Sequence, residues 1–150
     1  MPDLLKPLGN NRSQYLVLII ALLTVIANHY FAYIGHYGYD DMNYARIAVN
    51  LNRGIIDYTD HFTYRFPLVV LTAISYKIFG VNDFASSLPP MLITFLIVGI
   101  VFSVLRKKSL SVLIIGLGLT LFNQWFLFYT DKLMPDIYVA LAVIFSLFII

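Results

Sequence analysis

The sequence predicts an all-α, polytopic membrane protein, with about four transmembrane helices and two interfacial helices in its first external loop. Three observations predict it. Of 150 residues, 60% are apolar and only 12% charged, with a mean hydropathy of +0.82. A soluble domain is nearer half apolar and a quarter charged, and a chain this short cannot hide so many apolar side chains from water. Several stretches without Asp, Glu, Lys or Arg approach the roughly 20 residues that a helix needs to cross a bilayer. Aromatic residues make up 16% of the chain, which suits many positions at a membrane interface.

The first predicted span covers residues 15–34 and is preceded by Lys6 and Arg12. It exceeds the roughly 7–15 apolar residues of a secretory signal, and no small-x-small cleavage site follows, so it reads as an uncleaved span. Residues 41–53 then read as an amphipathic helix. Asn43, Arg46, Asn50 and Arg53 share one face by their spacing, and Tyr44, Ala48 and Leu51 share another. Asp40 is placed to cap this helix, Asp41 lies in its first turn, and Gly54 is its stop.

Residues 67–79 form a second interfacial helix. At 1.5 Å each they reach only about 20 Å, against a hydrocarbon core about 30 Å thick. The segment carries Lys77 and ends at Gly80, a helix stop. Residues 84–105 form the second span, with Pro89 and Pro90 near its start, and residues 109–128 form the third. The fourth covers residues 137–150, opened by Pro135 and Asp136, where a missing N–H costs little and a carboxylate meets the positive end of the helix dipole.

Charge orients these elements. Lys6 and Arg12 place the N-terminus in the cytoplasm, and Arg106, Lys107 and Lys108 belong on the same side. Both clusters are satisfied if residues 67–79 lie in the interface instead of crossing. Residues 35–83 then form one external segment. Asp40, Asp41, Asp57, Asp60, Asp83, Asp131 and Asp136 fall on the external side, and Asp3 is cytoplasmic.

The composition also excludes function classes. There is no cysteine, so disulfides, thiolate catalysis and cysteine metal sites are absent. A net charge of +2 without a large basic patch argues against nucleic acid as a partner. His29, His36 and His61 lack metal-ligand spacing, and no Gly-rich phosphate loop or nucleophile elbow occurs.

Four positions stand out as chemistry. Adjacent carboxylates at Asp40 and Asp41, just after a span, suit a general base beside a group that orients substrate or ligates a cation; helix capping is the alternative. Arg65, before Phe66 and Pro67, suits bidentate phosphate binding at headgroup depth, or else a snorkelling anchor. Asp136 is an acid at a membrane boundary, where such a group is costly enough to imply a role, or an N-terminal helix acid. Asp131 is either functional in the same way or a local partner of Lys132.

Together these pieces resemble the N-terminal part of the GT-C glycosyltransferases, in the branch holding protein O-mannosyltransferases and lipid A aminoarabinose transferases. The matching stretches are Tyr39-Asp40-Asp41-Met42-Asn43-Tyr44 at an interfacial helix, then Tyr64-Arg65-Phe66-Pro67-Leu68. Lys77-Ile78-Phe79-Gly80 follows, then Leu88-Pro89, and finally Met134-Pro135-Asp136 at the external start of a later span. The chain departs from the family pattern at Asp41 for Glu, Arg65 for Lys and Phe66 for Pro. Family members also have many more spans.

The resemblance implies a polyprenyl-phosphate-linked sugar donor and a lipid or glycan acceptor. It implies an inverting transfer at the external face, in the bacterial inner membrane with the site toward the periplasm. Asp40 would be the general base, Asp41 its support, Arg65 the donor-phosphate ligand and Asp136 an acid from the second external loop. A divalent cation, Mg or Mn, is an open possibility as cofactor, and the remaining C-terminal part of the same enzyme is an expected partner. Two rivals stand beside it. One is a non-enzymatic four-span protein, such as an accessory subunit or a lipid-linked-sugar flippase component. The other is half of a transporter, which the uncharged spans disfavour.

Overall fold

The computed structural model describes residues 11–149, with side chains to Leu147. The expectations for Asp3 and Lys6 lie outside the described residues. The described chain is all-helical: α1 (Asn11–Ala32), α2 (Gly38–Asn52), α3 (Phe66–Phe79), α4 (Asp83–Leu105), α5 (Leu110–Leu121), α6 (Gln124–Tyr129) and α7 (Asp136–Ile149), with a 3-10 turn at His61–Tyr64. Two of these, α1 and α4, are long and apolar enough to cross a membrane.

The helix boundaries follow local chemistry. Asn82 caps α4 by accepting from the Ala85 N–H, and Ser109 caps α5 by accepting from the Val112 N–H. At Gly80 φ is 77°, a left-handed conformation that a residue with a Cβ rarely adopts, so α3 ends there. Pro89 lacks the N–H that would bond to the Ala85 carbonyl. The freed carbonyl accepts from Ser75 Oγ at 2.7 Å, and this bond ties α3 to the start of α4. One residue further along each helix, the Tyr76 hydroxyl bonds to Ser86 Oγ at 2.8 Å.

Two expectations are corrected. The predicted third span, 109–128, is not one helix. α5 stops at Leu121, and Asn123 starts α6 by accepting from both the Trp125 and Phe126 N–H groups. A polar cap inside an apolar run outweighs helix continuity because it satisfies two orphan donors at once. The other correction concerns α2, which begins at Gly38, so Asp40 lies within its first turn and does not cap it.

Long-range bonds set the helix directions. Near the start of α1, Gln14 Nε2 donates to the Arg106 carbonyl at 3.1 Å, and Arg106 Nη1 donates to the Tyr15 hydroxyl at 3.4 Å. Near its end, Asn28 Nδ2 donates to the Leu127 carbonyl at 3.1 Å. Beyond that end, His36 approaches Ser86 at 3.5 Å. α1 and α4 are thus antiparallel. Arg12 and the basic residues 106–108 share one end, while the turns at 33–37 and 130–135 share the other. Arg12 and the 106–108 cluster therefore lie on one side of the bundle, the co-location that the charge reading requires.

α3 lies against that second end and does not run the length of α4. Its first turns, at Leu68 and Val69, pack in a cluster with Tyr44, Phe62 and Leu133. Its last turn packs, through Tyr76, with Ala48 and Ala85. The core along the long helices is made of Val25, Val98, Phe102, Leu113 and Leu117, with Ile93, Ile97 and Ile137 forming a neighbouring cluster. Much of the outer surface is also apolar: Leu16, Ile20 and Leu23 on α1, Ile115 and Leu119 on α5, and Val143 and Leu147 on α7 are all exposed.

Candidate functional site

The candidate site forms where α2 and the start of α3 close over the second end of the long helices. The chain enters α2 through Gly38, with φ of 75°, a turn that carries it abruptly from the end of α1. Asp41 then reaches back, and its Oδ2 accepts from the Tyr37 N–H at 2.7 Å. This bond satisfies the N–H of Tyr37, the residue that precedes the helix, from within its first turn.

Asp41 is only 1% exposed, and its Oδ1 is buried without a partner among the described residues. Burial pushes its carboxyl above the ordinary value of 3.8; the Tyr37 bond and the nearby His36 and Lys132 oppose that, and Asp131 adds to it. A raised acid binds its proton more tightly in the folded state than in the unfolded one. Its contribution to stability is therefore greatest below the ordinary Asp range. It is lost as pH rises through 3.8 towards the raised value, where the buried charge must form. Thermal unfolding of the detergent-solubilised protein between pH 3 and pH 8 checks this. The wild type is expected to lose stability relative to Asp41→Asn as pH rises, and an unchanged difference across that range refutes the assignment.

Asp40 differs from its neighbour. It is partly exposed, and among the described residues it makes no hydrogen bond or ion pair. It lies one turn before Tyr44 on the same face of α2, a spacing that brings side chains together. The Arg65 guanidinium sits over the Tyr44 ring at 5.4 Å and over the Phe62 ring at 5.4 Å. Arg65 has no carboxylate partner among the described residues, so its charge rests on two aromatic faces. Arg65 thus rests on a buried ring one helical turn from Asp40.

The 3-10 turn places Arg65. Asp60 caps that turn by accepting from the Phe62 N–H at 3.0 Å, and its other oxygen pairs with Arg46 of α2 at 2.9 Å. Arg46 also donates to Asn43 at 3.3 Å. Beyond Arg65 a groove of about 260 Å³ opens between α3 and α7, lined by Pro67, Leu68, Pro135, Tyr138 and Val139. The buried hydroxyls of Tyr44 and Tyr138 have no partner among the described residues.

Asp136 is not brought to this group. It lies in the first turn of α7 and lines a different cavity of about 580 Å³, with Thr120, Asn123, Trp125 and Tyr129. The reason is helical phase: Tyr138, Val139 and Ala142 face the Arg65 groove, whereas Asp136, Ile137 and Ala140 face α5 and α6. Among the described residues, no group of three or more His, Asp or Glu side chains is arranged to hold a metal ion. Asp40, Asp41 and Asp136 therefore form no ligand set of this kind for the divalent cation left open by the sequence.

One constellation escaped sequence reasoning. Asp131 and Lys132 are each only 3% exposed, paired at 2.6 Å, and Asp131 also meets His29 Nδ1 at 3.0 Å. Lys132 Nζ lies over the Tyr33 ring at 4.7 Å and over the Phe128 ring at 5.8 Å. The local pairing of Asp131 with Lys132 was foreseen. The contact with His29 joins residues 102 apart in sequence, and no spacing rule could find it.

No known protein family, curated protein or solved structure matches the chain.

Proposed function

We propose that this chain is a membrane-embedded catalytic part of an inverting, polyprenyl-phosphate-dependent glycosyltransferase of the GT-C kind. The observation that carries the reading is the Arg65 guanidinium resting on Tyr44, one helical turn from Asp40. Asp40 is a partly exposed carboxylate, and neither it nor Arg65 has an opposite-charge partner among the described residues. Groups left in this state are suited to ligands more than to holding the fold.

In this reading Asp40 accepts the proton of the acceptor hydroxyl as that oxygen attacks the anomeric carbon. The new glycosidic bond forms as the bond from the anomeric carbon to the phosphate oxygen breaks, with inversion. The electron pair leaves with the polyprenyl phosphate, whose charge Arg65 meets with a two-pronged guanidinium. Asp41 holds the first turn of α2 rigid and so positions Asp40. The apolar groove beyond Arg65 offers the prenyl chain a surface. Lipid as solvent accounts for the apolar exterior of α1, α5 and α7, which in water would be an aggregation liability. Asp136, facing another cavity, takes no step in this scheme.

That placement of Asp136 is the observation favouring the non-enzymatic rival, in which the cluster serves assembly only. Sugar transfer by the full-length protein and its Asp40→Asn variant separates the two readings: loss of transfer supports catalysis, and equal transfer refutes it.

The membrane arrangement has its own test. The chain contains no cysteine, so single cysteines report cleanly. In intact cells an impermeant maleimide is expected to label Tyr58→Cys, which is exposed beside the candidate site, and to spare Lys107→Cys until the membrane is opened. Labelling of position 107 from outside would overturn the orientation.

A further inference from the structure

We propose that the groove between α4, α5 and α7, at the end opposite the candidate site, binds one anionic phospholipid. Lys107 and Lys108 would hold its phosphodiester, and the apolar walls would receive an acyl chain. This inference rests on the membrane reading of the chain but not on its transferase activity.

The groove measures about 640 Å³, within the range of small-molecule sites. Its walls are apolar, with Val104 and Leu105 from α4 facing Ile144 and Leu147 from α7, and it runs from the two lysines towards Thr120. Gly116 forms part of the α5 wall, where an added Cβ would meet the end of the Leu105 side chain and displace it. The walls alone would suit any alkyl chain. The mouth selects charge.

Lys107 and Lys108 are exposed, and among the described residues neither side chain has a hydrogen bond or ion pair. Every carboxylate of the described chain lies towards the other end, in the turns and helix starts at Asp40, Asp41, Asp57, Asp60, Asp83, Asp131 and Asp136. The length of α4 or α7 separates them from the lysines, more than a Debye length of about 10 Å. No acid among the described residues offsets this charge. Two adjacent cations over an apolar groove match an anionic headgroup with its acyl chain beneath, and a basic pocket between membrane helices recognises lipids in this way.

Native mass spectrometry of the detergent-solubilised protein, titrated with phosphatidylglycerol or phosphatidylcholine, tests the site. The wild type is expected to retain one phosphatidylglycerol in preference to phosphatidylcholine. The double variant Lys107→Gln/Lys108→Gln should bind it about 30-fold more weakly, taking about 1 kcal/mol per basic residue and 1.4 kcal/mol per tenfold. Val104→Trp, which fills the groove and leaves both lysines, should weaken binding by at least about tenfold. Arg53→Gln, an exposed charge at the other end, should leave it unchanged.

Equal retention of the two lipids would overturn the proposal. So would an equal loss in Arg53→Gln, which would mean unspecific charge attraction. Full binding by Val104→Trp would also overturn it, because the headgroup would then be held without the groove. Circular dichroism confirms that each variant is folded. Because transfer is not measured, these outcomes are independent of the Asp40→Asn result.

Discussion

Asp40→Asn is expected to lower sugar transfer by about 10²–10⁴-fold, the usual contribution of a positioned general base. The amide keeps the size and shape of the side chain but cannot take up a proton at neutral pH. Asp40 makes no hydrogen bond or ion pair among the described residues, so little structure depends on its charge. Surface changes away from packed features stay within about 0.5 kcal/mol. The melting temperature should therefore match the wild type while kcat collapses.

The neighbouring substitution behaves differently. Asp41→Asn removes a buried charge, so it changes the pH profile of stability, as derived above, and reaches catalysis only through the placement of Asp40. Arg65→Lys keeps the charge but loses both the fork and the flat stack on Tyr44 and Phe62. Its loss of transfer should fall between the two and appear in both KM and kcat. Wild-type transfer rates in Asp40→Asn would end the catalytic reading, whatever the other variants do.

Asp131→Ala is expected to destabilise the protein by about 3–5 kcal/mol, the effect of breaking a buried ion pair from one side. Lys132 would then be a cation with 3% exposure and no carboxylate. The Tyr33 and Phe128 rings beneath it offset only part of that cost, since a cation–π contact contributes about 2 kcal/mol when desolvated. His29 would lose its partner as well.

The asymmetry of buried pairs supplies a second arm. Replacing both members with apolar residues, Asp131→Leu with Lys132→Met, leaves no orphan charge and should recover most of the stability or exceed the wild type. Thermal unfolding in detergent, followed by circular dichroism, measures both. A single variant that melts with the wild type would mean that the pair does not seal this end of the bundle.

The elements differ in how far they were legible. α3 and α4 could be read nearly to the residue, because Gly80, Asn82 and Asp83 act within one turn of the chain. The agreement of the two basic clusters also placed α3 at one end before any packing was known. The break between α5 and α6 is not legible in the sequence, because Asn123 and Gln124 carry no charge within an apolar run and the two cap bonds of Asn123 are not a matter of hydropathy. The cap of α2 lies at Tyr37, three residues before the expected Asp40. Asp40 and Asp41 are equal candidates by propensity, and the difference lies in which carboxylate reaches the Tyr37 N–H.

The sequence by itself determined the apolar, all-helical character of the chain, the ends of α3 and α4, and the separation of the basic residues 106–108 from the Asp residues between 40 and 83 and between 131 and 136. These rest on composition, caps and charge, which act locally or simply add along the chain. Tertiary structure alone decided that Arg65 rests on the Tyr44 ring, that Asp131 reaches His29, and that Asp136 turns to another cavity. Each of these depends on the rotation of one helix about its axis against another. A helix advances about 100° per residue, so a single position moves a side chain from one cavity to the next.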